Sequence, residues 1–140
     1  MKRLLHTLAL SAMLGLAAPA VSGGPTMTVY KSPNCGCCEK WVEYLRAEGF
    51  EVESVNRPGL AALKRSLGVE PRMESCHTAV IDGYVIEGHV PAAPIRRLLS
   101  ERPKTRGLAV PGMPMNSPGM GPMDGQLRTY TLEGQPYSLD

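Results

Sequence analysis

Two β-prone runs separated by Asp82-Gly83 constrain the fold of this chain more than any other feature of its sequence. Asp-Gly is favoured in the type I′ turn, whose twist matches that of two adjacent antiparallel strands. The runs on either side, residues 78–81 and residues 84–86, are rich in β-branched and aromatic side chains. The sequence therefore predicts a tight hairpin at this point.

Hydrophobic patterns before and after the hairpin predict alternating strands and helices. A β-prone run at residues 27–30 ends at a Ser-Pro-Asn turn, and helical spacing then runs from near Cys37 to a stop at Gly49. The other predicted elements are a strand near residues 50–55, a short helix over 60–67 and a helix over 91–101. This order, βαβα followed by a hairpin and a helix, indicates an α/β, thioredoxin-like fold with three layers.

The N-terminal 22 residues are typical of a secretory signal. They combine a basic start at Lys2 and Arg3, an apolar run and small residues before a cleavage point. The apolar run of about 15 residues is shorter than the roughly 20 that span a bilayer. We therefore expect residues 1–22 to be removed on export, leaving a soluble protein with no stable membrane anchor.

Composition divides the remaining chain into two parts. Residues 103–125 contain five Pro, five Gly and four Met, which indicates a loop or an extended segment. We expect a thioredoxin-like metal-binding domain over residues 26–102 and a Met/Pro/Gly-rich extension over residues 103–140. A small hairpin is predicted at the end of that extension.

Net charge gives no support for a nucleic-acid partner. Loss of Lys2 and Arg3 reduces the 15 basic residues to 13, which equals the 13 acidic residues. A formally neutral chain lacks the positive field that attracts nucleic acids or anionic membranes. We therefore expect no nucleic acid among its partners.

Cys35-Gly36-Cys37-Cys38 places three thiols in four residues where the first helix is predicted to begin. The positive end of a helix dipole favours thiolates, which are both nucleophiles and metal ligands. In this fold the segments entering the third strand and leaving the fourth approach the same point. Those segments carry Cys76, His77 and His89, so a shared site is predicted.

Soft sulfur donors select Cu(I), Zn(II) or iron–sulfur clusters, and copper leads on affinity at mixed sulfur and nitrogen sites. We predict that Cys35, Cys37, Cys38, Cys76 and His77 bind copper. Three nearly adjacent thiolates suit two or more Cu(I) ions bridged by shared sulfurs. The additional candidate ligands are His89, Met113 and Met115, the last two because thioethers bind Cu(I) without losing a proton.

Four sequence motifs carry a resemblance to a known family. They read YKSPNCGCCEKW, CHTA, GYVIEGHVPA and GLAVPGMP. Together they resemble the CopG-type copper-resistance proteins, a family long filed as a domain of unknown function. The resemblance implies a thioredoxin-like periplasmic protein that binds copper through Cys35, Cys37, Cys38 and Cys76. Its expected partners are copper ions and other periplasmic copper-handling proteins, and Cu(I)/Cu(II) redox activity is consistent with the family.

Three other interpretations of the cysteines stay open at this point. The main one is a thiol–disulfide oxidoreductase, in which Cys35 attacks and Cys38 resolves. Such enzymes carry a cis-proline just before the third strand, where this chain has Cys76-His77. Two structural disulfides, or a zinc or iron–sulfur site, are the remaining alternatives. Metal binding is the primary prediction, and whether the chain is an enzyme is left undecided.

Overall fold

A computed structural model describes residues 23–139, which form one seven-stranded sheet and three α-helices. The predicted signal at residues 1–22 lies outside the described residues. The elements are β1 (Met27–Lys31), α1 (Gly36–Ala47), β2 (Val52–Asn56), α2 (Ala61–Ser66), a 3₁₀ turn (Pro71–Met73), β3 (Thr78–Ile81), β4 (Tyr84–Glu87), α3 (Ala92–Glu101), β5 (Gly107–Ala109), β6 (Arg128–Thr131) and β7 (Pro136–Leu139). Within the described part of the chain, no helix is both long and apolar enough to cross a membrane.

The predicted hairpin is confirmed as the pair β3 and β4. Asp82 and Gly83 have φ angles of 47° and 82°, as the type I′ turn requires. The strand order is β2-β1-β3-β4-β5-β6-β7, with β1 parallel to β2 and antiparallel to β3. The α/β class is thereby confirmed, and the order from β1 to α3 is the one predicted for a thioredoxin-like domain.

The sheet is covered on both faces, which gives three layers. On one face, Trp41 and Leu45 of α1 pack with Ile95 and Leu98 of α3 over alternate residues of the strands. On the other face, residues that follow α2, including Val69, pack under β4, β5 and β6. Since successive side chains of a strand point to opposite faces, β4 contributes to both clusters.

Helix α2 differs from the prediction in the residue that it buries. The leucines at positions 60, 63 and 67 are only half-buried, whereas Lys64 is 5% exposed. Its aliphatic stem is buried so that its ammonium group can reach Thr78 and Glu87. A hydrophobic pattern could not predict the burial of Lys64, because its buried partner Glu87 lies on a different element.

The C-terminal extension also differs from the prediction. Gly107–Ala109, expected as loop, forms β5 and pairs in parallel with β4. Three residues that begin with glycine carry no strand pattern of their own, so this pairing depends on the partner strand. The predicted terminal hairpin is formed by β6 and β7, which extend the same sheet.

Glu133 fastens the β6–β7 turn to the segment before β5. Thr105 Oγ1 donates a 2.6 Å hydrogen bond to its carboxylate, and the Arg106 backbone N–H donates another of 3.1 Å. Partial burial acts to raise the pKa of Glu133, but these hydrogen bonds outweigh it and lower that pKa to about 2. The carboxylate therefore stabilises the fold only while it is ionised.

We expect Glu133→Gln to lower the free energy of unfolding by about 1 kcal/mol at pH 7, a value discounted for the exposure of the site. The pKa of the Glu133 carboxyl is depressed in the folded state. The difference in unfolding free energy between Glu133→Gln and wild type should therefore have its full size above about pH 5 and should vanish as the pH falls towards 2. Urea denaturation across that range measures it. The exposed Glu53→Gln on β2 is the control, and an equal pH profile for both variants would contradict the assignment.

Candidate metal centre

The first part of the site lies at the N-terminal end of α1. Cys35 occupies the N-cap position and is joined by a disulfide to Cys38, one turn into the helix. Cys35 is half-buried, whereas Cys38 is completely buried. The more accessible sulfur of this pair is therefore that of Cys35.

Two free thiols, Cys37 and Cys76, flank this disulfide. The Sγ atom of Cys37 lies 3.5 Å from that of Cys35, and the Sγ atom of Cys76 lies 3.4 Å from that of Cys38. All four sulfurs lie within 4.8 Å of one another, the spacing of a group that can hold a metal ion. The fold thus brings together the four cysteines named from the sequence.

Cys76 also belongs to a second group of donors, formed with His77 and His89. Its Sγ atom lies 3.3 Å from His77 Nδ1 and 3.1 Å from His89 Nε2. Both imidazoles are completely buried, and the His77 ring packs against Trp41 with 4.3 Å between centroids and 36° between the ring planes. Cys76 is thus shared between a sulfur-rich group and a nitrogen-rich one.

Burial sets the protonation states of this second group. Burial and the nearby Cys37 thiol raise the pKa of Cys76 to about 12, so its sulfur is protonated at neutral pH in the metal-free protein. Burial also lowers the pKa of His77 well below the usual histidine value and lowers that of His89. Both rings are therefore neutral, which is the form that binds metals. A metal ion that binds Cys76 must displace its proton.

A covering segment, residues 117–121, closes the site and orients His89. His89 Nδ1 donates a 2.7 Å hydrogen bond to the Pro118 carbonyl, so Nε2 keeps its lone pair and faces Cys76. Gly119 has a φ of +87°, and a Cβ there would lie 2.8 Å from Trp41 N and 3.0 Å from Cys37 O. The covering segment therefore contacts the first turns of α1 at a distance that only glycine permits.

The two candidate methionines lie nearer to solvent than the cysteines do. The side chains of Met113 and Met115 are 43% and 67% exposed. Met113 follows Gly112, whose backbone accepts a hydrogen bond from the Ser75 hydroxyl and donates one to Glu74. The chain thus carries Met113 past the segment that contains Cys76, with its thioether partly accessible.

A buried ion pair beneath the site was not predicted from the sequence. Glu87, completely buried at the end of β4, pairs with Lys64 and accepts hydrogen bonds from Thr78 Oγ1 and from the Ser75 backbone N–H. Burial raises the pKa of Glu87 although Lys64 opposes this. The one available signal was a glutamate at the end of an otherwise apolar strand. Glu87 holds the backbone immediately before Cys76 and therefore helps to position that thiol.

Comparison with known proteins identifies relatives of this chain. A family model described as a protein of unknown function, DUF411, matches residues 73–120. No curated protein sequence matches the chain. A solved structure titled "Copper resistance protein copG- Form 2" is 45% identical over 83% of this chain and 95% of its own, with a TM-score of 0.71. A second, titled "Copper resistance protein copG- Form 1", is 46% identical over 81% and 93%, with a TM-score of 0.69. The chain therefore belongs to the CopG family of copper resistance proteins.

Proposed function

We propose that this protein binds Cu(I) as its cargo through the thiolates of Cys35, Cys37, Cys38 and Cys76. The observation that carries the proposal is the approach of all four sulfurs to within 4.8 Å of one another. Thiolates prefer soft ions, and Cu(I) is the softest of the ions that such a donor set selects. The names of the two copper resistance relatives support copper over zinc or an iron–sulfur cluster.

Copper loading and the state of the disulfide are linked. Cys35 and Cys38 cannot act as thiolates while they are joined, so full loading needs a two-electron reduction of their bond. Oxidation of the two thiolates is the reverse of this reduction and can be balanced by copper. Each thiolate gives one electron to one Cu(II) ion, so that two Cu(II) ions become two Cu(I) ions and one disulfide forms. We therefore include Cu(II) reduction in the proposal.

The site is closely packed and suits more than one bridged ion. With sulfurs 3.4 Å and 3.5 Å apart in two pairs, neighbouring thiolates are close enough to share a metal. The partly exposed thioethers of Met113 and Met115 provide soft donors at the surface, where a Cu(I) ion first meets the protein. We place this activity in the periplasm, on the basis of the secretory signal predicted for residues 1–22, with other copper-handling proteins as exchange partners.

Anaerobic titration of the reduced protein with Cu(I), followed by metal analysis, tests the proposal. We expect wild type to bind more than one Cu(I) ion per chain. Cys37→Ser and Cys38→Ser should each lower that number, because every sulfur of a bridged cluster contacts more than one ion. If Cys37→Ser left the stoichiometry unchanged while Cys38→Ser abolished binding, a shared cluster would be wrong.

A thiol–disulfide oxidoreductase is the second candidate, and the Cys35–Cys38 disulfide itself favours it. A half-buried Cys35 beside a completely buried Cys38 fits an attacking and a resolving thiol. Insulin reduction, measured with and without one equivalent of Cu(I), separates the two functions. Rapid reduction together with no stoichiometric Cu(I) uptake would favour this candidate over copper binding.

A further inference from the structure

Cys76 lies on a stretch of chain that belongs to no helix or strand. Residues 74–77 connect the 3₁₀ turn to β3 and adopt no regular secondary structure. The position of the Cys76 sulfur therefore depends on individual contacts to this stretch rather than on the hydrogen-bond ladder of the sheet. That position matters to the site, because the sulfur lies 3.4 Å from that of Cys38, which is carried by a different element.

A buried carboxylate supplies two of these contacts. Glu87 Oε1 accepts a 2.7 Å hydrogen bond from the backbone N–H of Ser75, the residue immediately before Cys76. Its other oxygen accepts a 2.6 Å hydrogen bond from Thr78 Oγ1, at the start of β3 and immediately after His77. Glu87 thus holds the chain on both sides of Cys76 and His77.

Lys64 of α2 pairs with this carboxylate. Its ammonium group contacts Glu87 and donates a 3.0 Å hydrogen bond to Thr78 Oγ1. Both charged side chains are almost completely buried, with Lys64 5% and Glu87 0% exposed. Replacing a buried ion pair by apolar side chains is often neutral or stabilising, so stability alone gives little reason for such a pair. A role other than stability is therefore indicated.

Ser75 is also held from the side of the C-terminal extension. Its hydroxyl donates a hydrogen bond to the Gly112 carbonyl, and the Gly112 N–H donates one of 3.0 Å to the Glu74 carbonyl. A Cβ at Gly88 would lie 2.5 Å from the Ser75 Cβ, so the end of β4 packs directly against this residue. Among these contacts, the Glu87 carboxylate is the one that a substitution can remove without altering the chain next to Cys76.

We propose that Glu87 and Lys64 are positioning residues of the copper site. The Glu87 carboxylate fixes the backbone before Cys76, so that its sulfur meets those of α1, and Lys64 keeps the carboxylate in place. Helix α2 thus takes part in copper binding although it carries none of the candidate ligands. This inference rests on the proposed copper function and adds to it two residues that are not ligands themselves.

Two double variants separate the hydrogen bond to Ser75 from the charges. Lys64→Met/Glu87→Gln removes both charges but keeps an amide oxygen that can accept from the Ser75 N–H. Lys64→Met/Glu87→Met removes the charges and the acceptor together. Neither variant leaves a buried charge unpaired, so both are expected to fold, which circular dichroism verifies. If the second does not fold, Lys64→Met/Glu87→Leu takes its place.

Competition of the reduced proteins with a chromophoric Cu(I) chelator measures the effect on copper. We expect Lys64→Met/Glu87→Gln to bind Cu(I) with the affinity of wild type. Lys64→Met/Glu87→Met should bind it about 10- to 100-fold more weakly, the loss typical when a residue that orients a metal ligand is removed. Rescue by glutamine would show that the hydrogen-bond acceptor, and not the charge, positions Cys76.

A merely structural role predicts a different pattern. Leu98→Ala, in the core under α3, is the control: its cavity should lower the stability of the metal-free protein, measured by urea denaturation, and leave the Cu(I) affinity unchanged. Equal Cu(I) affinities of the two double variants would overturn the inference. An affinity of Leu98→Ala as low as that of Lys64→Met/Glu87→Met would overturn it as well.

The Cu(I) titration of wild type remains the separate test of the proposed function. If wild type binds Cu(I) and both double variants bind it equally well, the proposed function is kept and only the positioning role is lost. If wild type takes up no Cu(I), the proposed function itself is contradicted, and the inference with it.

Discussion

Replacement of Cys76 by serine is expected to lower the affinity of the reduced protein for Cu(I) by more than about 100-fold, because losing a ligand costs more than the 10- to 100-fold typical of an outer partner. Among the described residues, Cys76 is the one donor that belongs to both candidate metal groups. It also supplies the only sulfur of the four that does not come from α1 or its N-cap. Without Cys76, the remaining three sulfurs of the site all come from α1 and its N-cap.

Competition with a chromophoric Cu(I) chelator under anaerobic conditions measures this affinity. Cys37→Ser is the matched comparison, since Cys37 belongs to the sulfur-rich group alone, and its loss should cost less. Thermal unfolding of the metal-free variants shows whether each change leaves the fold intact. An affinity for Cys76→Ser within about tenfold of wild type, roughly 1.4 kcal/mol, would contradict the central position given to this thiol.

The convergence of Cys76, His77 and His89 on the Cys35-Gly36-Cys37-Cys38 motif could be predicted from the sequence. Once the βαβα-hairpin-α order is recognised, the entry to β3 and the exit from β4 must lie beside the start of α1. The pairing of β1 with β3 fixes that arrangement, and it leaves Cys76 and His89 3.1 Å apart. The elements of that order could themselves be predicted because each has a local sequence pattern, such as the Asp82-Gly83 turn.

The parts that could not be predicted depend on contacts without a local pattern. Lys64 is buried only because Glu87 lies beneath the site, and nothing in the sequence of α2 indicates that partner. The hydrogen bond to the Pro118 carbonyl could not be predicted either, because every residue has a carbonyl and only the fold selects one as the partner of His89. Composition identified residues 103–125 as irregular, but not the part of that segment that covers the metal centre.

Strand β5 links this covering segment to the rest of the molecule. Gly107 pairs with Val85 of β4, and the Val110 backbone N–H then donates a 3.0 Å hydrogen bond to the Glu87 carbonyl. From there the chain runs to Pro118 and its contact with His89. The orientation of a candidate ligand thus depends on a short strand that lies far from it in the sequence.

Gly107→Ala is accordingly expected to destabilise the protein by about 4 kcal/mol or more, because it combines steric overlap with backbone strain. A Cβ at this position would lie 1.7 Å from the Val85 carbonyl oxygen and 2.8 Å from the Val85 nitrogen, both backbone atoms that cannot rotate away. The β4–β5 pairing must therefore open. Urea denaturation of the metal-free protein measures the loss.

Gly59→Ala is the control that separates steric overlap from backbone strain. Gly59 also has a positive φ, of +71°, but a Cβ there meets no atom within 4 Å, so only backbone strain of about 1 kcal/mol is expected. The excess in Gly107→Ala then reports the clash with β4. Because the same change releases the segment that orients His89, any Gly107→Ala protein that remains folded should bind copper more weakly than Gly59→Ala. Equal unfolding free energies for the two variants would show that β5 does not hold the extension in place.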